Sequence, residues 1–226
     1  TDSTLDILDE YADQNENIEL IRGENIGYKA SFMWLVQNSG DYDFFAFADQ
    51  DDVWMIDKLS RAANRISNLI GKDKPVYYCS NCTLVDANGD VLGNLFNDST
   101  IVPNNTEEAF TTLYAYCCTV VFTKTSRDLV LQHSPQEKFS HDFWIATIHL
   151  FLADTIYDDI SGIDFVNNYL SENIDHKFSK GFKAVPMDLK RDDKGFMIPE
   201  SEEIDVSFVI DSSIAKKENT GVDWYS

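Results

Sequence analysis

The chain is short of positive charge. Its 226 residues hold 18 Lys and Arg against 39 Asp and Glu, a formal net charge of −21. Nucleic-acid phosphates demand basic side chains, so no nucleic acid is expected as a partner. Most of the acid reads as solvated surface, although the balance is compatible with cation binding. Long apolar runs are missing too. No stretch reaches the ~18 apolar residues that would read as a membrane-spanning helix. No basic patch or amphipathic anchor marks a membrane surface contact, and no internal repeat or low-complexity tract occurs. Cysteine is sparse: Cys79, Cys82, Cys117 and Cys118. A structural zinc site normally shows two well-spaced pairs. Here both pairs sit in apolar, strand-like runs, VYYCSNCTLV and LYAYCCTVVF, so buried free thiols in a reducing, cytoplasmic compartment are expected.

What is present is a globular composition. Hydrophobic residues make up 43% and aromatics 13%, enough for one sizeable domain with a core and an appendage. TDSTLDILDEYA reads as a helix opened by a Ser3–Asp6 capping box, with Leu5, Leu8 and Tyr11 at helical spacing. IELIRG is a short strand, and ENIGYKASFMWLVQNSG turns at Asn25-Ile26-Gly27 into a helix that ends near Asn38. DFFAFAD is apolar on both faces, as a central parallel strand would be. MIDKLSRAANRISNLIG is a helix with Leu59, Ala62, Ala63, Ile66 and Ile70 on one stripe. PVYYCSNCTLVDANGDVLGN reads as a hairpin around Asn88-Gly89. TLYAYCCTVVFTK is a further strand, SRDLVLQHS and SHDFWIATIHLFLAD are helices, and IYDD is a short strand. This alternation gives an α/β fold, an α/β/α sandwich with a mostly parallel central sheet. The texture changes near residue 160. GIDFVNNYLSENIDHKF reads as a helix, a charged turn-rich segment follows, and IDVSFVI is a strand pattern. The expected division is residues 1–160 and a helical or linker extension over residues 161–226.

The chemistry concentrates in FADQDDVW. Asp49, Asp51 and Asp52 stand where an apolar strand ends, and open α/β sheets bind ligands at the carboxyl ends of their strands. Three carboxylates within four residues repel one another. A hard divalent cation, Mg²⁺ or Mn²⁺, held by one or two carboxylates and substrate phosphates, resolves that repulsion. A charged turn with Asp52 as the N-cap of the next helix is the alternative. Residue chemistry alone leaves both open.

FAFADQDDVW followed by DKL resembles the Asp-X-Asp region of the family 2 glycosyltransferases, which have a Rossmann-like GT-A fold. The likeness is greatest to the rhamnosyltransferase-like branch that builds bacterial cell-wall and capsular polysaccharides. TDSTLDIL, ENIGYKASF, YYCSNCTLVD, SHDFWIA and IYDD resemble further family segments in the family's order, over roughly residues 1–160. The resemblance implies that Asp49 and Asp51 are the metal and diphosphate residues, that Asp52 positions the sugar, and that Asp2, Asn25 and Gly27 lie along the donor pocket. Asp142 would be the catalytic base, and His141 and Trp144 would shape the acceptor side. The implied reaction is inverting and metal-dependent. Its donor is a nucleotide sugar, dTDP-rhamnose first and UDP-sugars second. Its acceptor is a bacterial surface polysaccharide or a lipid-linked saccharide, reached in the cytoplasm with peripheral association at the inner membrane face.

Each assignment has a plainer rival. Ser140 and Asp142 could simply open a helix. His141 could be a surface residue, Trp144 part of a buried stripe with Ile145, Ile148 and Leu152, Trp54 packing, and Asn25-Ile26-Gly27 a turn. The sequence also departs from the family. The first strand and its aspartates are expected to be missing, so the chain reads as N-terminally truncated. Cys117-Cys118-Thr119 stands where Gly-Cys-Thr is common. EIDVSFVI could begin a further domain. A fragment that binds carbohydrate or protein without catalysis is therefore the alternative function.

Overall fold

The computed structural model describes residues 3–49, 52–69, 74–86, 89–96, 102–133, 139–166, 189–191, 197–199 and 208–211, the last three segments and residues 164–166 by backbone alone. The chain packs as two units, residues 1–40 with 205–226, and residues 41–204.

The first unit holds α1 (Thr4–Gln14), β1 (Ile18–Ile21), α2 (Tyr28–Asn38) and β10 (Phe208–Asp211). The elements fall where periodicity places them, but the capping box does not form. Ser3 has φ −80° and ψ 9° and makes no side-chain cap; only its carbonyl accepts, from Ile7 N–H at 3.1 Å. An N-cap needs extended backbone to aim its hydroxyl into the first turn. β1 pairs in parallel with β10, from Ile18 opposite Phe208 to Ile21 opposite Asp211. The strand read in IDVSFVI thus lies beside β1 and does not stand alone.

The second unit is built on a six-stranded sheet of β2 (Phe44–Ala46), β3 (Val53–Trp54), β4 (Val76–Val85), β5 (Val91–Asn94), β6 (Val120–Thr123) and β7 (Asp154–Val166), in the order β2-β6-β4-β7-β3 with β5 on β4. The α/β class is as expected, but the sheet is mixed. Only β4 and β7 run parallel in it; β2–β6, β4–β6, β4–β5 and β3–β7 are antiparallel. Apolar runs report burial and carry no strand direction, which is why the expectation of a mostly parallel sheet fails. β2 likewise ends the strand order and is not central. β8 (Leu189–Arg191) and β9 (Met197–Pro199) form a separate antiparallel pair.

β4 is buried on both faces, and its alternating side chains define two cores. Tyr78 and Val76 join Ala62 and Ile66 of α3 (Lys58–Ser67) and Val121. On the other face Tyr77 stacks on His149, centroids 4.4 Å apart, in α6 (His141–Leu152), and Phe47 packs on Phe122 at 5.3 Å. α4 (Thr106–Ala109) and α5 (Lys124–Gln132) complete the helices. β7 continues through residues 162–166, where a helix was expected; its neighbour β4 pairs with it along Asn81–Val85. Gly162 permits this approach, because a Cβ there would lie 2.5 Å from Ser80 Oγ.

Candidate functional site

The site begins where β2 ends. Phe47 is buried, Asp49 is half-buried and Asp52 is buried at 2% exposure. Asp51 and Asp2 lie outside the described residues. Asp52 is no helix cap: α3 starts at Lys58 and its N-cap position is Asp57. The charged-turn alternative therefore loses its capping role, and the buried carboxylate needs another one.

Opposite this strand end a 3-10 turn, Cys117–Thr119, leads into β6. It is held by Thr119 Oγ1, which donates to the Tyr116 carbonyl at 2.7 Å. The turn sets Cys118 against the acids. One donor atom from each of Asp49, Asp52 and Cys118 lies within 4.8 Å of the others. Two hard carboxylate oxygens and one softer sulfur fit a divalent cation. All four cysteines are free and buried, as expected. Burial holds the Cys117 and Cys118 thiols well above the ordinary range, and nearby carboxylates add to this: Asp142 and Asp49 at Cys117, Asp52 and Asp49 at Cys118. Without a bound cation both stay protonated at neutral pH, and Cys118 would ligate a cation only as the thiolate.

Asp142 and Asp49 thus both act electrostatically on Cys117. Asp142 sits in the first turn of α6, whose N-cap Ser140 accepts from Phe143 N–H at 3.4 Å. Asp142 Oδ1 accepts from the same N–H at 2.8 Å. The helix-opening reading of Ser140 is thus realised, and Asp142 sits beside it, half-buried. His141 is not a surface residue. It is 6% exposed, and its ring meets Phe47 edge-on, centroids 6.3 Å apart. Phe47 thereby ties the start of α6 to the end of β2. Trp144 donates its indole N–H to the His133 carbonyl and stacks on Phe139 at 5.5 Å. The expected buried stripe holds only in part: Ile145 and Ile148 are buried, while Leu152 is 51% exposed.

Asn25 and Gly27 belong to the other unit. The turn reading holds for them: Gly27 N–H donates to Asn25 Oδ1 at 3.1 Å, and Gly27 takes φ 84°, open to glycine, before α2.

Two residues of the site escaped the sequence reading. Cys118 was read as a buried free thiol and as part of a departure from the family pattern, not as a member of the site. Lys58, within the quoted DKL, is 1% exposed. Its ammonium lies 3.7 Å over the Trp54 ring and donates to the Cys118 carbonyl. Burial lowers its pKa to about 7, against the opposing pull of Cys118, Asp52 and Asp49. The signal was available: Lys58, Ala62 and Ile66 stand four residues apart on the buried stripe of α3.

Residues 1–71 match the model of a protein family described as glycosyl transferase family 2. No curated protein matches the chain. The match covers under a third of the chain, residues 1–71 of 226, and over that stretch supports a likeness to a glycosyltransferase. It includes Asp49 and Asp52 and ends before β4, so Cys118 and Asp142 lie outside it. Among the described residues no helix is long and apolar enough to cross a membrane.

Proposed function

We propose that the protein is an inverting, metal-dependent glycosyltransferase, with dTDP-rhamnose as first donor and UDP-sugars as second. Its acceptor is a bacterial surface polysaccharide or the lipid-linked precursor of one, met in the cytoplasm. The observation that carries this reading is the clustering of Asp49, Asp52 and Cys118, one donor atom from each lying within 4.8 Å of the others at the end of β2. That cluster fits a cation, and the carboxylate base of the reading is Asp142, in the first turn of α6.

In the proposed reaction Asp142 takes the proton of an acceptor hydroxyl. The oxygen attacks the anomeric carbon as the bond to the diphosphate breaks, and the electron pair leaves with the nucleoside diphosphate. Base and leaving group on opposite faces produce inversion. Asp49 and Asp51 would hold Mg²⁺ or Mn²⁺, with Asp52 and Cys118 in reach of Asp49. Such an ion supplies positive charge to the departing diphosphate. Asp52 positions the sugar, Asp2, Asn25 and Gly27 contribute to donor binding, and His141 and Trp144 serve the acceptor side.

Thermal melting with dTDP, dTDP-rhamnose and UDP-sugars, each with and without Mn²⁺, tests the reading. A nucleotide at about 100 times its dissociation constant adds ~2.7 kcal/mol, or some ~5–11 °C for a chain of this size. The shift is expected to require Mn²⁺ and to vanish in Asp51→Asn. No shift with any nucleotide would leave the non-catalytic binding module as the better account.

A further inference from the structure

Lys58 has no part in the reaction above, yet among the described residues it is the only Lys or Arg that is buried. An ammonium removed from water is costly unless its surroundings compensate. Its direct partners are a ring face and a carbonyl, Trp54 and Cys118. Those partners belong to the two segments that carry the acidic cluster: Trp54 follows Asp52 by two residues, and Cys118 is itself one of the three clustered donors. Burial disfavours the charge on Lys58, and the nearby Asp52 and Asp49 carboxylates favour it. An ammonium so placed balances part of the carboxylate charge. By the same Coulomb interaction it opposes a second cation.

We propose that Lys58 is the resident cation of the Asp49–Asp52–Cys118 cluster, opposing a divalent ion that arrives alone and favouring one that arrives with a diphosphate. This rests on reading the cluster as the metal and diphosphate site. In the unliganded protein the ammonium holds the Cys118 turn and the Trp54 segment together. A metal–nucleotide complex brings its own negative charge, which Lys58 attracts. The residue therefore acts on the two ligands with opposite sign: against the bare metal and for the nucleotide complex.

The test is calorimetric titration of the full chain with Mn²⁺ alone, then with Mn²⁺ and UDP or dTDP, for wild type, Lys58→Gln, Lys58→Met and Lys58→Arg. Gln removes the charge and keeps an N–H donor, and Met removes the charge and keeps most of the length; near-UV circular dichroism verifies the fold of each variant. Lys58→Gln and Lys58→Met are expected to bind Mn²⁺ alone at least tenfold tighter than wild type and the Mn²⁺–nucleotide complex several-fold weaker. Lys58→Arg is expected to remain within threefold of wild type for both. A structural defect would weaken both ligands together. Unchanged or weaker binding of Mn²⁺ alone in the folded, uncharged variants overturns the proposal. If neither uncharged variant folds, wild type decides: Mn²⁺ binding as tight without nucleotide as with it overturns the proposal. Absence of Mn²⁺ binding in every variant also overturns it, while nucleotide binding to wild type decides the glycosyltransferase reading separately.

Discussion

Asp158 is a buried anchor of the second unit. Its side chain is fully buried. Oδ2 accepts from Tyr78 Oη at 2.8 Å and from Arg61 Nε at 3.1 Å, and Oδ1 accepts from Ile160 N–H at 3.2 Å. Arg61 then reaches the Ser161 and Ile160 carbonyls, at 2.8 and 3.2 Å, and Asp57 at 2.6 Å. The network fastens α3 to β7 at the point where β7 shifts register against β4. Asp158→Ala strips the acceptor from a buried hydroxyl, a guanidinium and a backbone N–H. Breaking a buried pair from one side costs ~3–5 kcal/mol. Asp57 and the carbonyls still hold Arg61, so the lower half of that range is expected. At ~2–4 °C per kcal/mol the melting temperature falls by some ~6–16 °C.

Differential scanning calorimetry on wild type, Asp158→Ala and Tyr78→Phe measures this. Tyr78→Phe removes one donor and leaves the ion pair, so it should cost only ~1 kcal/mol. Arg61→Met combined with Asp158→Leu removes both charges. It is expected to recover most of the loss, since a buried pair exchanged for apolar side chains is often neutral. A drop below about 2 °C for Asp158→Ala would refute the argument. It would mean that the network adjusts its partners at no cost and does not fix α3.

Where burial alone decides structure, the sequence was readable. VYYCSNCTLV is apolar because β4 is covered on both faces, and the stripe through Ala62 and Ile66 is the face of α3 that packs on it. Strand direction was not readable, since parallel and antiparallel neighbours present the same apolar surface. β7 was cut short at IYDD because the segment from Gly162 onward reads as a helix, although the glycine's lack of a side chain is what lets the strand pass Ser80. The site divided in the same way. Asp49 and Asp52 stood out as a local excess of charge. Lys58 did not, because a lysine inside a stripe of alanine and isoleucine is normally taken for a solvated end. Its burial follows from Trp54 and Cys118, and Cys118 lies 60 residues away.

Three further predictions concern the core and the chemistry. Asp142→Asn is expected to lower transfer by ~10²–10⁴-fold, the usual worth of a general base, with donor binding in the melting assay unchanged; full activity would remove Asp142 from the reaction. Gly162→Ala should cost ~1–3 kcal/mol by overpacking against Ser80, and Ser80→Ala in the same chain should restore most of it in a urea melt. The last concerns His149, whose Nδ1 lies 2.7 Å from the Ile145 carbonyl. Burial lowers its pKa to about 4, although hydrogen bonding to the Ile145 and Ser126 backbone works the other way. The unfolded chain protonates this residue near 6.5 and the folded chain only near 4, so between those values the unfolded state binds more protons. Stability must then fall as pH drops from 6.5 towards 4, at up to ~1.4 kcal/mol per pH unit. Between pH 6.5 and 5, above the range where most carboxylates titrate, the loss attributable to His149 approaches ~2 kcal/mol. His149→Phe keeps a ring against Tyr77 and removes the proton site. Urea melts at pH 6.5 and 5 should therefore show a loss in wild type that largely disappears in His149→Phe. An equal loss in both proteins would show that His149 does not set this pH dependence.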